Sequence, residues 1–315
     1  MRRIFFIFVF ACLSNQAGSA QKANPAGYGD SYGVRFDVAW KLVAERYWDE
    51  SYGGNDWAAL GREYRPEAVA AESEGAFYRV LERLYDKLGD NHSVFVPPAK
   101  VQRVRRQYGD LPCLGVFGFS GQDEQLGHVS YRLETTTDHA IGVLTLPDLA
   151  ATGVAGSLRE AVRQLSAGGA QAFVLDLRGN PGGRLVEMMS AAGVFTQGFL
   201  WRTLTRWTLP LPYPALGAVE TEKPLAVLID KNVNSAAEGL AGVLQNTGRA
   251  RVFGQTSAGN VEAVLPFCLR DGSQAWIATG VLAPLRGPTW EGRGVVPDAP
   301  SSRPLKAALA YLRGL

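Results

Sequence analysis

Apolar residues recur along this chain at two different spacings. Between residues 34 and 90 they return every three or four positions: Phe36, Trp40, Val43 and Tyr47, then Trp57, Leu60 and Tyr64, then Phe77, Val80, Leu81, Leu84 and Leu88. That spacing predicts amphipathic helices whose aromatic stripes pack a core, the last of them stopped by Gly89. Pro97-Pro98 breaks the pattern, and short strands are expected at 114–119 and 129–133. From 139 onward apolar runs alternate with helical periodicity. Strands are expected at 141–146, 172–177 and 225–229, and helices at 154–166, 184–196 and 235–246. Short strands at 251–254, 262–269 and 274–280 follow, then a helix over about 303–313. Strands alternating with helices predict a layered α/β architecture. The expected order is a flexible lead-in (21–33), an N-terminal helical domain (34–97), a connector or small β element (98–137) and a core (138–315).

The first twenty residues change the picture of where the chain works. Met1-Arg2-Arg3, an apolar centre and Gly18-Ser19-Ala20 form the pattern of a secretory signal, with cleavage expected after Ala20 and a periplasmic or secreted product. The apolar run is too short for a mature membrane span. Lipidation at Cys12 is the alternative, since Val9-Phe10-Ala11-Cys12 loosely fits a lipobox. Without residues 1–20 the chain holds 30 basic and 30 acidic residues, so nothing points to nucleic acid. The basic run from Lys100 to Arg106 reads as a solvated helix face. Cys113 and Cys268 remain as a candidate pair in an oxidising compartment. With three histidines and no metal-ligand spacing, neither a metal nor an organic cofactor is implied.

Four segments carry candidate chemistry. Ser235, in Asn232-Val233-Asn234-Ser235-Ala236-Ala237-Glu238, sits at a strand-to-helix turn, where backbone N–H groups can hold an oxyanion. Ser235 with Glu238 also fits a capping box, which needs no catalysis. Asp176-Leu177-Arg178-Gly179-Asn180-Pro181-Gly182-Gly183 supplies glycines for a close backbone approach, or simply a turn. His92 follows the helical region and titrates in the range a base requires, with His128 and His139 as its competitors. Glu291, in Trp290-Glu291-Gly292-Arg293-Gly294, is a carboxylate that can orient a histidine, or an exposed turn acid. There is no Gly-x-Ser-x-Gly elbow.

Taken in order, these segments resemble the C-terminal processing (tail-specific) serine peptidases, the family that includes the tricorn protease core, over about residues 36 to 300. The resemblance implies a crotonase/ClpP-like core of ββα units behind an N-terminal helical domain, and hydrolysis of peptide bonds in peptide or unfolded-protein substrates. It implies Ser235 as nucleophile, His92 as base, Glu291 as its orienting partner, and an oxyanion hole from Gly182 or Gly183 and Ala236. Two departures stand out. Where many members place the lysine of a serine–lysine dyad, this chain has Asn260, and Val264 replaces the glutamine four positions on; that selects the histidine-base branch. Too few residues separate His92 from the core to hold a full PDZ module, so 98–137 is at most a truncated PDZ-like element. The alternative is a non-catalytic peptide- or ligand-binding protein on the same fold.

Overall fold

The computed structural model describes residues 30–90, 92–108, 128–136 and 138–315. The leader, Cys12, Cys113 and the strand expected at 114–119 lie outside the described residues, as does much of the connector. Three helices form as their apolar spacing predicts: α1 (Tyr32–Arg46), α2 (Trp57–Val69) and α3 (Glu74–Asp86). Asp56 and Ser73 cap the second and third, accepting the N–H groups of Ala59 (2.8 Å) and Ala76 (3.2 Å). Trp40 and Trp57 lock α1 to α2 by donating each indole N–H to the other's carbonyl, at 2.9 and 3.1 Å.

A short strand β1 (Val94–Val96) follows, then α4 (Pro98–Tyr108), in which Pro98 occupies the helix start that proline tolerates. Next come β2 (Ser130–Thr135), β3 (Ala140–Thr145), α5 (Val154–Ala167), β4 (Ala172–Asp176) and α6 (Leu185–Ala192). The hairpin β5 (Phe199–Leu204) and β6 (Leu211–Pro214) leads to β7 (Leu225–Ile229), α7 (Ala236–Asn246) and β8 (Arg251–Gly254). The chain finishes with β9 (Glu262–Cys268), β10 (Gln274–Pro284), β11 (Ala299–Pro300) and α8 (Pro304–Arg313).

The central sheet runs β11-β8-β7-β4-β3-β2, parallel throughout except for the β2–β3 pair. Every residue of β4 and β7 is buried, which is why β7 reads as an unbroken apolar run and β4 as one up to its last residue, Asp176. Phe173, Leu175, Val227 and Ile229 face the layer of α5, α6 and α7, while Ala172, Val174, Ala226 and Leu228 face α8. The α/β class expected from the alternation is therefore the class observed.

A second, antiparallel sheet is organised by β10. One edge of it carries β9; the other carries β1 at Gln274–Trp276 and β5 at Val281–Pro284. Phe95, Phe267, Ala275 and Ile277 join the aromatic core of α1–α3, so the helical region is fastened to this sheet. Arg35 strengthens the seam, with its guanidinium 2.6 Å from Asp271 and 2.8 Å from Glu74. Some expected boundaries move. The helix expected over 184–196 ends at Ala192 and is capped by Gly193, a position where the Leu216 backbone leaves no room for a side chain. The strand expected over 274–280 runs on to Pro284, where β5 pairs with it. Cys268 is disulfide-bonded, and its partner lies outside the described residues.

Candidate active site

Ser235 stands at the carboxyl end of β7, immediately before α7. Its backbone, at φ 53° and ψ −124°, lies in a region that side-chain-bearing residues avoid. Such a conformation costs roughly 1–3 kcal/mol and persists only when its surroundings enforce it. The enforcement is visible. The Ser235 N–H donates to the Asn260 carbonyl (3.0 Å) and to Glu238 Oε2 (3.1 Å). Glu238 is fully buried and also accepts from Ser257 Oγ (2.6 Å), Gly259 N–H (2.6 Å) and Asn260 N–H (2.9 Å). One carboxylate thus ties the loop 257–260 to the first turn of α7. The chain makes a sharp serine turn without the flanking glycines that sequence motifs require.

The glycine that opens the turn comes from elsewhere. Gly182, at φ 90° in the loop after β4, packs so closely that an added Cβ would sit 2.8 Å from Ser235 Cβ and 2.9 Å from Ala236 N. Asn180, wholly buried, fixes this loop. Its Nδ2 donates to the Leu146 carbonyl, its Oδ1 accepts the Gly182 N–H, both at 2.8 Å, and its own carbonyl accepts the Asn234 N–H at 3.0 Å. The Gly182 N–H is therefore already committed, which corrects the expectation that it faces an oxyanion. Gly183 forms an isolated parallel bridge with Leu149, whose bonds use the Gly182 carbonyl and the Arg184 N–H. The N–H of Gly183 itself points away from that bridge. Of the other two expected donors, Gly183 lies against Leu149 and Ala150, and Ala236 opens α7 directly after Ser235. Gly182→Ala is expected to destabilise the fold by about 2–4 kcal/mol through overpacking and a left-handed alanine, and to remove activity. Denaturant unfolding checks this; a change below about 0.5 kcal/mol would contradict the packing account.

His92 arrives from the other side. Asp90 Oδ1 accepts the backbone N–H groups of His92 (2.8 Å) and Ser93, and Ser93 Oγ accepts the Ala278 N–H at 3.0 Å. The turn before β1 is thereby pinned to β10, and the ring lies against β9. His92 Nδ1 is 2.8 Å from Glu262 Oε2, a carboxylate only 3% exposed, and Trp48 Nε1 reaches Glu262 Oε1 at 3.4 Å. Burial by itself lowers the His92 pKa; the bond to Glu262 and its charge outweigh that, with Asp90 and the Asn260 side chain adding, so the net shift is upward. Asn260 joins the two halves, with its carbonyl on the Ser235 N–H and its side chain near the imidazole. No hydrogen bond joins His92 directly to Ser235 among the described residues; such contacts often tighten only with substrate bound. His128 and His139 lie at the β2–β3 edge, away from this cluster.

Glu291, expected to orient His92, is placed differently. Its Oε2 accepts the Val261 N–H at 2.7 Å, and the hydrogen bond to the imidazole is made by Glu262, which the motif reading missed. The available signal was an acid at the start of an otherwise apolar strand. Burial pushes the Glu291 carboxyl up to about 7, against the Val261 N–H and reinforced by the charge of Glu262. A carboxyl raised above its unfolded value binds more protons when folded, so its stabilising contribution is present in acid and lost as pH rises through about 7. The melting temperature is expected to fall between pH 5 and 8, and Glu291→Gln to flatten that fall. Scanning fluorimetry of both chains decides it; equal slopes would remove Glu291 as the cause.

With this geometry in view, comparisons with known proteins become informative. A family model described as Peptidase family S41 matches residues 140–301, and one described as Tricorn protease C1 domain matches residues 30–86. A carboxyl-terminal-processing protease of Picosynechococcus sp. is 33% identical over 149 residues, covering 47% of this chain and 36% of that protein. A chloroplastic carboxyl-terminal-processing peptidase 2 of Arabidopsis thaliana is 33% identical over 147 residues, covering 46% of this chain and 28% of that protein. The matched region thus spans about a third of these relatives' own length. Among solved structures, a photosystem II D1 C-terminal processing protease superposes with a TM-score of 0.69 at 18% identity, covering 86% of this chain and 93% of that one. A lipoprotein from Streptococcus agalactiae superposes with a TM-score of 0.70 at 17% identity, covering 92% and 99%. These likenesses show the fold: a ClpP-like α/β core with a helical N-terminal region.

Proposed function

We propose, from the premise that this chain belongs to peptidase family S41, a family of serine peptidases, that it is an exported endopeptidase using Ser235, His92 and Glu262. The observation that carries this reading is the buried Glu262–His92 pair, joined through Asn260 to a serine held in a strained turn. Ser235 Oγ attacks the scissile carbonyl while its proton passes to His92 Nε2. Glu262 holds the Nδ1–H and stabilises the imidazolium. The N–H groups of Gly183 and Ala236 hold the oxyanion, each contributing about 3–4 kcal/mol to the barrier on the scale of known oxyanion donors. The protonated His92 then gives its proton to the leaving amine, and water, deprotonated by the same imidazole, hydrolyses the acyl-enzyme. Glu291 holds the Val261 N–H and so supports the strand that carries Glu262. The substrate is an extended peptide or unfolded chain, met outside the cytoplasm after removal of residues 1–20.

A serine-directed phosphonate probe tests this reading. Labelling mapped by mass spectrometry to Ser235, with new termini appearing in a diverse peptide mixture, is the expected result. Absence of both labelling and cleavage would move the chain to the class of non-catalytic binders.

A further inference from the structure

The β5–β6 hairpin carries the most conspicuous exposed apolar surface among the described residues. Trp207 is 50% exposed, Leu209 86% and Leu211 57%. Large apolar side chains gathered in water at one tip are unfavourable unless something covers them. Trp207 is nevertheless held in place: the Arg206 guanidinium lies 4.2 Å above its ring, and its N–H donates to Thr205 Oγ1 at 2.9 Å. Arg206 in turn donates to the Ala44 carbonyl on α1.

The sheet register places the end of β5, from which this tip departs, two strands from the candidate site. Leu204, the last residue of β5, pairs with Val281, and Val281 pairs with Glu262. Two strand spacings, about 10 Å, therefore separate the end of β5 from the carboxylate that holds His92. The same neighbourhood appears on the helical side, where Ala44 receives Arg206 and Trp48, four residues on, reaches Glu262.

The edge of β6 is closed to strand addition. Ala215 donates its N–H to Gly198, so Leu211, Tyr213 and Ala215 turn their backbone N–H groups toward β5. Pro212 and Pro214 turn toward the open edge, where they offer no N–H. A partner strand cannot build a regular ladder there, and recognition at the tip is left to side chains.

We propose that Trp207, Leu209 and Leu211 form an apolar subsite that takes a large hydrophobic side chain of the substrate while the neighbouring bond reaches Ser235. This rests on the peptidase reading above, and its continuity with the Glu262–His92 pair is what selects the substrate as occupant. The test compares paired peptides that differ only by Leu or Ser at each position around a cleaved bond. The intact chain is expected to prefer Leu at one fixed position by about 10-fold or more, the range a hydrophobic pocket supplies. Trp207→Ala combined with Leu209→Ser is expected to reduce that ratio to below about 3, while Val69→Ser, exposed on α2, leaves it intact. The same ratio is read as affinity by fluorescence anisotropy with the Ser235→Ala chain. A Leu preference in binding without cleavage by the parent would support the subsite while removing the peptidase reading. A preference unchanged by the double substitution would overturn the subsite. So would a parent dimer that the double substitution converts to monomer without altering the preference, or binding to phosphatidylglycerol vesicles as the only property lost.

Discussion

Ser235→Ala is expected to reduce kcat/KM for peptide cleavage by about 10⁴-fold or more, with the melting temperature nearly unchanged. The size follows from removing the atom proposed to form the bond to the substrate. The small structural effect follows from what holds the turn. Residue 235 is fixed through its backbone N–H by Asn260 and Glu238, and neither bond uses the hydroxyl. Alanine inherits the same unfavourable φ of 53°, so no strain is released. Steady-state rates with a cleaved peptide, beside a thermal melt of each chain, check both halves. Residual activity within 10-fold of the parent would place the nucleophile elsewhere.

Glu262→Gln is expected to cost about 10² to 10⁴-fold in kcat/KM and to displace the acid limb of the pH profile. The sign follows from the direction of the His92 shift. Glu262 stabilises the imidazolium, so His92, the proposed base, stays protonated up to a pH above the ordinary histidine value. Activity should rise as pH climbs through that raised pKa. Glutamine removes the charge while burial, which favours the neutral ring, remains; the limb then moves to lower pH even as the maximum rate falls. Glu291→Gln provides the contrast. Its carboxyl is bonded to the Val261 N–H, so its loss should move the limb less. A larger displacement by Glu291→Gln than by Glu262→Gln would return the orienting role to Glu291. Rate profiles from pH 5 to 9 for the three chains distinguish the cases.

Much of this arrangement was readable from residue order, for definable reasons. β4 and β7 are buried on both faces, so β7 is wholly apolar, β4 is apolar up to Asp176, and both end at polar loops. Ser235, Gly183, Ala236 and His92 stand out as candidates in the sequence because each lies in a loop or turn after such an end or a helix stop. Glu262 does not, because its role depends on register: β1 on one edge of β10 and β9 on the other bring residues 170 positions apart within 2.8 Å. Local spacing carries no trace of that pairing, and Glu291 in its glycine-rich turn looked the better partner. Gly182 was half-read. The need for glycine was legible, but the consumption of its N–H by Asn180 was not. The β5–β6 hairpin escaped because its prolines suggest a loop, whereas an outer strand tolerates them. The strained φ of Ser235 has no sequence signature here, since the glycine that accommodates it lies some fifty residues earlier.

The division of this site between two cores has a bearing on how the molecule comes into being. Ser235 belongs to the layer built on the parallel sheet, whereas His92 is delivered by the aromatic core of the helices, and β9–β10 joins them. During synthesis the histidine emerges early and waits, without its carboxylate, until more than four-fifths of the chain has been made. A site divided in this way cannot assemble in a nascent or partly folded polypeptide, so the proposed nucleophile and base stay apart until both cores have closed.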